Sequence, residues 1–334
     1  MNSKSIFSFF FITFISSHIF SQSSWDPKES MNIKSISQTD ISDDGKYATY
    51  VVREAIMDGK KSEYLSQIWL NNLITKENFQ YTYDTKSSTS PKFSPDGKRI
   101  AFLSSRSGKN QIWILNTFGG EAKKLTNEKK GVRSIKWSPD GKRISFLKSD
   151  DDTEEEKKSK ENKTDVILVD KNFKYSHIYS YDFEEDSVFQ ITNGDYSVNN
   201  FDYSPDGKKI IFSHQKDTNI NTGFVNTDIS IIEFNGKNFK NLIQRSGLDS
   251  NPMFSGDGKK FAFISSGGKQ ESIGLRDVYI YNLINNEIKK LSNTPNRDAN
   301  IISWNSDDKN LIISESIKTT SQLLLLPVNG DQHT

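Results

Sequence analysis

The chain has 334 residues, with 44 Lys and Arg against 43 Asp and Glu, a net charge of +1 and no cysteine. That balance gives no field that would draw nucleic acid or an acidic membrane surface, and the missing thiols exclude disulfides, thiol nucleophiles and Cys-based metal or iron–sulfur sites. Length alone does not force two domains, because all-β repeat folds often exceed the roughly 100–200 residues of an ordinary domain.

Residues 1–21 read as a secretory signal. Lys4 supplies the positive start, and Ile6 to Ile15 is mostly Phe and Ile, interrupted by Ser8 and Thr13. Ser16, Ser17 and Ser21 then offer small residues for cleavage, placed here between Ser21 and Gln22. The apolar run falls short of the ~20 residues that a spanning helix needs. An exported protein, periplasmic or secreted, is therefore expected, with no stable membrane insertion after cleavage. The absence of cysteine suits an oxidising compartment. Trp25, just past the cleavage site, is expected to dock the mature N-terminus.

From there one motif organises the chain. FSPDGKRIAF at Phe93–Phe102 returns as ISDDGKYATY (Ile41–Tyr50), WSPDGKRISF (Trp137–Phe146), YSPDGKKIIF (Tyr203–Phe212), FSGDGKKFAF (Phe254–Phe263) and WNSDDKNLII (Trp304–Ile313). In each copy a large apolar residue ends one strand and a polar turn reverses the chain. Pro95, Pro139 and Pro205 preset φ at about −65°, and glycine takes the position where φ must be positive. The turn glycines are Gly45, Gly97, Gly141, Gly207 and Gly258, with Asp308 in the sixth place. Alternating apolar residues such as Ile100 and Phe102 launch the returning strand.

Successive turns are 52, 44, 66, 51 and 50 residues apart, and the shortest interval matches the ~40–50 residues of a four-stranded propeller blade. A third strand is expected at Gln67–Leu70, Gln111–Ile114, His177–Ser180, Asp228–Ile231, Asp277–Ile280 and Gln322–Leu325. Turns follow at Gly119–Gly120, Gly236, Asn285–Asn286 and Gly330. A short fourth strand then runs into Leu125-Thr126-Asn127, Ile191-Thr192-Asn193 or Leu291-Ser292-Asn293. The expected fold is all-β: a β-propeller of four-stranded antiparallel blades, six units present and the last incomplete. One such sheet buries little alone, so radial packing on its neighbours stabilises it.

Two insertions lengthen units three and four. Lys148–Lys163 has no apolar residue and is expected to be a solvated, mobile loop; its Asp150-Asp151-Asp152 run lacks the alternating spacing of a calcium loop. The second, Gln215–Asn226, occupies the same place one unit later. The sixth unit stops after Asn329-Gly330 without a fourth strand, so residues 22–334 are expected to be a truncated propeller.

No residue of the chain is nominated as catalytic. Of the four histidines, His18 and His333 lie at the ends, while His177 and His214 stand apart, without the paired spacing of a zinc site. No G-x-S-x-G elbow occurs. Glu184-Glu185 occupies a hairpin turn, where exposed charge is expected. Gly119-Gly120 and Gly267-Gly268 do not precede helices, so no phosphate-binding loop is indicated. Trp69, Trp113, Trp137 and Trp304 recur at repeat positions and are expected to pack between blades. No metal site, cofactor or substrate-binding residue is assigned.

The S-P-D-G-K units resemble the propeller repeats of the prolyl oligopeptidase family of serine peptidases and of the propeller protein of the Tol system. Met57–Leu70 (MDGKKSEYLSQIWL), Val225–Ile232 (VNTDISII) and Gly274–Ser316 are similar to the acylaminoacyl-peptidase and dipeptidyl-peptidase-5-like branch, and the likeness spans residues 31–330. It implies the propeller of an exported peptidase that admits short peptides to an α/β-hydrolase domain carrying Ser, Asp and His. None of those three positions lies in this chain, so no catalytic residue is carried over. The implied partners are peptide substrates, reached through that hydrolase domain, and not nucleic acid. The alternative is a stand-alone periplasmic propeller for protein–protein interaction, similar to the Tol protein.

Overall fold

The computed structural model describes residues 26–59, 62–164, 173–270 and 274–332. The predicted signal, His18, Trp25 and His333 lie outside them. A single turn of helix, α1 (Pro27–Met31), precedes the strands.

Five four-stranded antiparallel sheets follow one another. Blade 1 is β1 (Ser35–Ile41), β2 (Tyr47–Met57), β3 (Ser62–Asn72) and β4 (Asn78–Gln80); blade 2 is β5 (Ser88–Phe93), β6 (Arg99–Ser104), β7 (Gln111–Asn116) and β8 (Lys123–Lys124). Blade 3 is β9 (Arg133–Trp137), β10 (Arg143–Ser149), β11 (Ser176–Asp182) and β12 (Ser187–Gln190). Blade 4 is β13 (Ser197–Tyr203), β14 (Lys209–Gln215), β15 (Asn226–Glu233) and β16 (Lys240–Ile243). Blade 5 is β17 (Gly247–Phe254), β18 (Lys260–Ser265), β19 (Asp277–Asn282) and β20 (Ile288–Lys290). A short parallel bridge, Asn226 with Gly247 and Thr227 with Leu248, joins blades 4 and 5. Blade 6 has three strands, β21 (Asn300–Trp304), β22 (Asn310–Ile317) and β23 (Thr320–Pro327). All six expected third strands are observed.

The polar turn joins the first and second strands of every blade. Its own side chains hold it: Ser94 Oγ donates to Asp96 Oδ1 at 2.5 Å, Asp96 Oδ1 accepts from Lys98 N, and Gly97 N donates to the Ser94 carbonyl at 2.8 Å. Ser42–Asp44, Ser138–Asp140, Ser204–Asp206 and Ser255–Asp257 repeat the arrangement. Gly97 sits at φ 67° and Gly141 at φ 68°, the left-handed region that a Cβ resists.

First strands of successive blades approach one another, as β1 with β5 and β5 with β9, which places them nearest the axis and the fourth strands outermost. Each first strand breaks register once, as between Ser37 and Asp40 in β1 or Ser250 and Met253 in β17. Such bulges sharpen the local twist that a radial blade needs. They carry polar non-glycine residues at positive φ: Gln38, Ser90, Ser134 and Asn251.

The core is divided among the blade interfaces. Phe102 lies between blades 1 and 2, Phe146 between 2 and 3, Phe212 between 3 and 4, and Phe261 with Phe263 between 4 and 5; all are fully buried. Each burial contributes roughly 2–3 kcal/mol. Asp40 of blade 1 accepts from Phe93 N and Lys92 Nζ of blade 2, and Asp202 of blade 4 accepts from Phe254 N of blade 5 and Lys136 Nζ of blade 3. Trp137 and Trp304 donate to the Lys92 and Met253 carbonyls of the preceding blade, as expected of inter-blade packing. Trp113 packs into the cluster between blades 1 and 2. Trp69 differs, stacking on Tyr50 of its own blade.

One expectation needs correction. Within Lys148–Lys163 a helix forms, α2 (Glu154–Glu161), because Thr153 and Glu156 make a reciprocal capping box and three glutamates sit at its positive end. The second insertion also contains a short helix, α3 (Ile220–Val225), capped by Asn219. Among the described residues, five core clusters join the six blades in sequence and none joins blade 6 to blade 1. Ile36 of β1 is 68% exposed and Leu323 of β23 is 71% exposed.

Candidate functional site

Gly45, Gly97, Gly141, Gly207 and Gly258 sit at φ 67–68°, and the blades bring neighbouring turns together. A Cβ on Gly141 would meet Pro95 Cδ at 3.6 Å, one on Gly207 would meet Pro139 Cδ at 3.6 Å, and one on Gly258 would meet Pro205 Cδ at 3.3 Å. Each proline therefore rests on the glycine of the next blade. Gly45 and Gly97 have nothing within 4 Å of that position. At the last interface the pattern inverts. Gly256 stands where proline would, and Asp308 of blade 6 accepts from Gly256 N and Asp257 N, each at 2.8 Å. The turn end is thus built for packing and offers no reactive group.

Chemistry gathers at the opposite end of the blades. There one register position between the second and third strands, one residue before Ile68, Ile112, Ile178, Ile229, Val278 and Leu323 of the third, differs in every blade. It holds Val52 and Gln67, Ser104 and Gln111, Lys148 and His177, His214 and Asp228, Ser265 and Asp277, and Glu315 and Gln322. Gln67 and Gln111 accept from Thr82 and Thr126 at 2.7 Å, and the same hydroxyls receive Ile68 N and Ile112 N at 2.9 Å. Thr192 repeats this latch against His177 and Ile178 N. The Thr of the Leu-Thr-Asn segments thereby gains a role that spacing alone did not reveal.

Ionisable groups here are mostly paired. Lys148 Nζ lies 2.9 Å from Glu128 Oε2 with only 10% of its side chain exposed, and 4.3 Å from the Tyr179 ring centroid. Arg245 clasps the buried Asp249 through two nitrogens at 2.9 Å, and Arg297 with Lys290 holds Asp277. Burial works to raise the Asp277 carboxyl, yet the hydrogen bonds and charges of Arg297 and Lys290 outweigh it and leave it lowered.

His214 is buried beside the Tyr196 ring and bonded to Ser230 Oγ at 2.8 Å; burial pushes it down to about 4. Burial also lowers His177. Asp228 is raised to about 6, first by burial and then by the charge of Asp249. The two histidines are thus neutral, hydrogen-bonded parts of blades 3 and 4.

The remaining sequence candidates are engaged structurally. Asp152 is held by Lys130 at 2.6 Å and Lys160 at 2.9 Å, which bring its carboxyl down to about 2. Asp150 accepts from Tyr175 N, and Glu184 pairs with Lys142 at an exposed turn. A cleft of about 640 Å³ opens between blades 5 and 6, with Lys260, Lys289, Asp308 and Pro327 in its wall. It lies at the turn end, away from the variable register.

The family model described as the TolB beta propeller domain matches residues 53–174. The chain has the β-propeller fold, and over those residues it is similar to that domain. In sequence it is similar to part of dipeptidyl-peptidase 5, and in fold to part of acylaminoacyl peptidase. Dipeptidyl-peptidase 5 of Porphyromonas gingivalis is 27% identical over 313 residues, covering 85% of this chain and 45% of that protein. The Trichophyton equinum dipeptidyl-peptidase 5 is 24% identical over 145 residues, 40% of this chain and 20% of that one. Among solved structures, the acylaminoacyl peptidase of Pyrococcus horikoshii superposes with a TM-score of 0.66 at 20% identity, covering 90% of this chain and 46% of that chain. The chain therefore spans less than half the length of these relatives.

Proposed function

We propose that this chain is the propeller region of an exported serine peptidase, restricting a hydrolase domain to short peptides. The observation that carries the reading is the likeness to the Porphyromonas gingivalis peptidase along 85% of this chain, confined to 45% of that protein. The physical rationale is exclusion by size. A ring of rigid blades presents a narrow axial passage, which folded proteins cannot enter and extended peptides can. The turn end contributes rigidity, and the varied polar register at the other end contributes groups that can contact a peptide.

The test is activity-based labelling of extracts from the source organism with a fluorophosphonate, followed by capture with an antibody against residues 26–332. A labelled band well above the 38.1 kDa of this chain, released from cells by osmotic shock, is expected. An unlabelled band of this chain's own mass overturns the reading. That outcome would favour a stand-alone interaction propeller, the role suggested by the TolB model over residues 53–174. The purified 334-residue chain is expected to show no turnover of peptide substrates.

A further inference from the structure

We propose that the cleft between blades 1 and 2, at the turn end, binds an arginine side chain presented by a peptide, its guanidinium stacked on aromatic rings beside the carboxylate of Glu77. The inference is independent of the peptidase reading. It rests on the differences between successive blade interfaces, and both walls of the cleft belong to blades 1 and 2.

One position sets the character of these clefts: the first residue of the second strand, two places after the turn glycine. It is Arg99 in blade 2, Arg143 in blade 3, Lys209 in blade 4 and Lys260 in blade 5, paired across the sheet with Asn116, Asp182, Glu233 and Asn282. Blade 1 has Tyr47 there, paired with Asn72. Arg99 stands in the wall of the cleft between blades 2 and 3, with its guanidinium carbon 4.9 Å from the Trp137 ring centroid and 4.6 Å from that of Phe183. Arg143 lies 4.9 Å from the Phe234 ring centroid, and its Nε is 2.6 Å from Asp182 Oδ2. Lys209 lines the cleft between blades 4 and 5, and Lys260 the one between blades 5 and 6.

A carboxylate accompanies two of these cations. Glu121 shares the cleft of Arg99, and Glu287 shares that of Lys260. Glu77 is their counterpart in blade 1: the Asn72 N–H donates to the Glu77 carbonyl at 2.8 Å, as the Asn282 N–H does to the Glu287 carbonyl at 2.9 Å. The cleft between blades 1 and 2 thus keeps the acidic half of the arrangement without the basic half. It encloses about 410 Å³, lined by Glu77 and by five aromatic side chains, Tyr47, Phe79, Tyr81, Tyr83 and Phe118, and none of its lining residues is Lys or Arg. Tyr47 and Phe118 meet edge to face, with centroids 5.8 Å apart. A planar, weakly hydrated guanidinium suits aromatic faces next to a carboxylate better than a compact ammonium does, and the fold already stacks guanidinium on rings at the next two interfaces. The cleft is far larger than one guanidinium. Phe118 and Tyr83, 80% and 74% exposed, extend its wall into solvent, where residues flanking the arginine of a peptide would cover them.

The experiment titrates the full chain into a fluorescein-labelled peptide, GLRLG, and into versions with citrulline or lysine in place of arginine. Anisotropy should show saturable binding of the arginine peptide. Citrulline keeps the shape and drops the charge, and should bind about tenfold more weakly; lysine should bind about threefold more weakly. Glu77→Gln, at an exposed position that does not threaten folding, should weaken the arginine peptide about threefold to tenfold and leave the citrulline peptide unchanged. Tyr47→Arg installs the residue that blades 2 and 3 carry, so it should fill the cleft from within and weaken the arginine peptide about tenfold. No saturable binding, equal affinity of the arginine and citrulline peptides, or indifference to Glu77→Gln would each overturn the inference. Full affinity in a folded Tyr47→Arg variant would do so too, by placing the binding elsewhere. Displacement by N-acetylarginine amide as readily as by the unlabelled peptide would overturn the peptide as the source of the guanidinium.

Discussion

Blades 2 and 3 can be laid over one another at the turn end residue by residue: Ser94 and Ser138, Asp96 and Asp140, Gly97 and Gly141 make the same bonds at the same lengths within 0.1 Å. At the other end the matching register holds Ser104 with Gln111 in one blade and Lys148 with His177 in the next. The first end is constrained by a turn that its own Ser, Asp and Gly close with hydrogen bonds, so one solution recurs. The second is constrained only to remain polar and paired, so each blade has found its own answer. Individuality among paired polar residues is concentrated there.

The largest effect should come from setting two Lys–Glu pairs against each other. Lys148 and Glu128 at the variable end have 10% and 18% of their side chains exposed, whereas Lys142 and Glu184 at the turn end have 53% and 63%. Lys148→Met strands a half-enclosed carboxylate and should cost about 3 kcal/mol. Lys142→Met, at an exposed pair that solvent screens, should leave the unfolding midpoint essentially unchanged. Adding Glu128→Gln to Lys148→Met should recover most of the loss. Urea unfolding at pH 7 measures all three, and equal costs for the two lysines would abolish the distinction drawn between the ends.

A second effect separates the ends by pH. An unfolded histidine binds its proton near 6.5, but buried His214 does so only at about 4. Between those values the unfolded chain holds more protons, so acidification destabilises the fold through His214, by about 3 kcal/mol once pH 4 is reached. Asp228, its cross-strand partner, works in the opposite sense. Its carboxyl takes up a proton at about 6 in the folded chain and near 4 in the unfolded chain, so the fold gains stability as pH falls through that window. The two nearly cancel in the native protein. His214→Gln should therefore gain stability, and Asp228→Asn should lose it, between pH 7 and 4.5 relative to the parent. Thermal melts at the two pH values decide; parallel shifts in both variants would show that other groups govern the window.

How legible each end was follows from the same contrast. The turn end declares itself in consecutive residues, since Ser, Pro, Asp and Gly each act within five positions, and the alternating Ile100 and Phe102 type of pattern fixes the strands that leave it. The variable end is assembled from residues 14 to 17 apart, such as Gln67 with Thr82 and Gln111 with Glu128, and from residues farther apart still, such as Lys148 with Glu128. No single stretch displays those partnerships. The bulges at Gln38, Ser90 and Ser134 also escaped, because none uses glycine at positive φ. Helix α2 was hidden by composition: its charged run lacks a buried face and is fixed by the Thr153–Glu156 cap instead.

The smallest expected effect probes whether turn-end interfaces are interchangeable. Between blades 2 and 3 a proline ring lies on a glycine, while between blades 5 and 6 two N–H groups of Gly256 and Asp257 bind the carboxylate of Asp308, which holds φ 55°. The left-handed backbone at Asp308 costs about 1 kcal/mol, offset by two charge-assisted hydrogen bonds. Gly256→Pro alone removes one donor and crowds the carboxylate oxygens, which lie 3.2–3.3 Å from a Cβ at that position; it should cost about 2 kcal/mol. Asp308→Gly alone exchanges strain for lost bonds and should stay within about 1 kcal/mol of the parent. The double variant rebuilds the proline-on-glycine contact of the earlier interfaces, so its stability should return close to the parent, with a coupling of about 1–2 kcal/mol. Simple additivity in urea unfolding would mean that the sixth turn is adapted to its own blade and that uniformity at the turn end stops at blade 5.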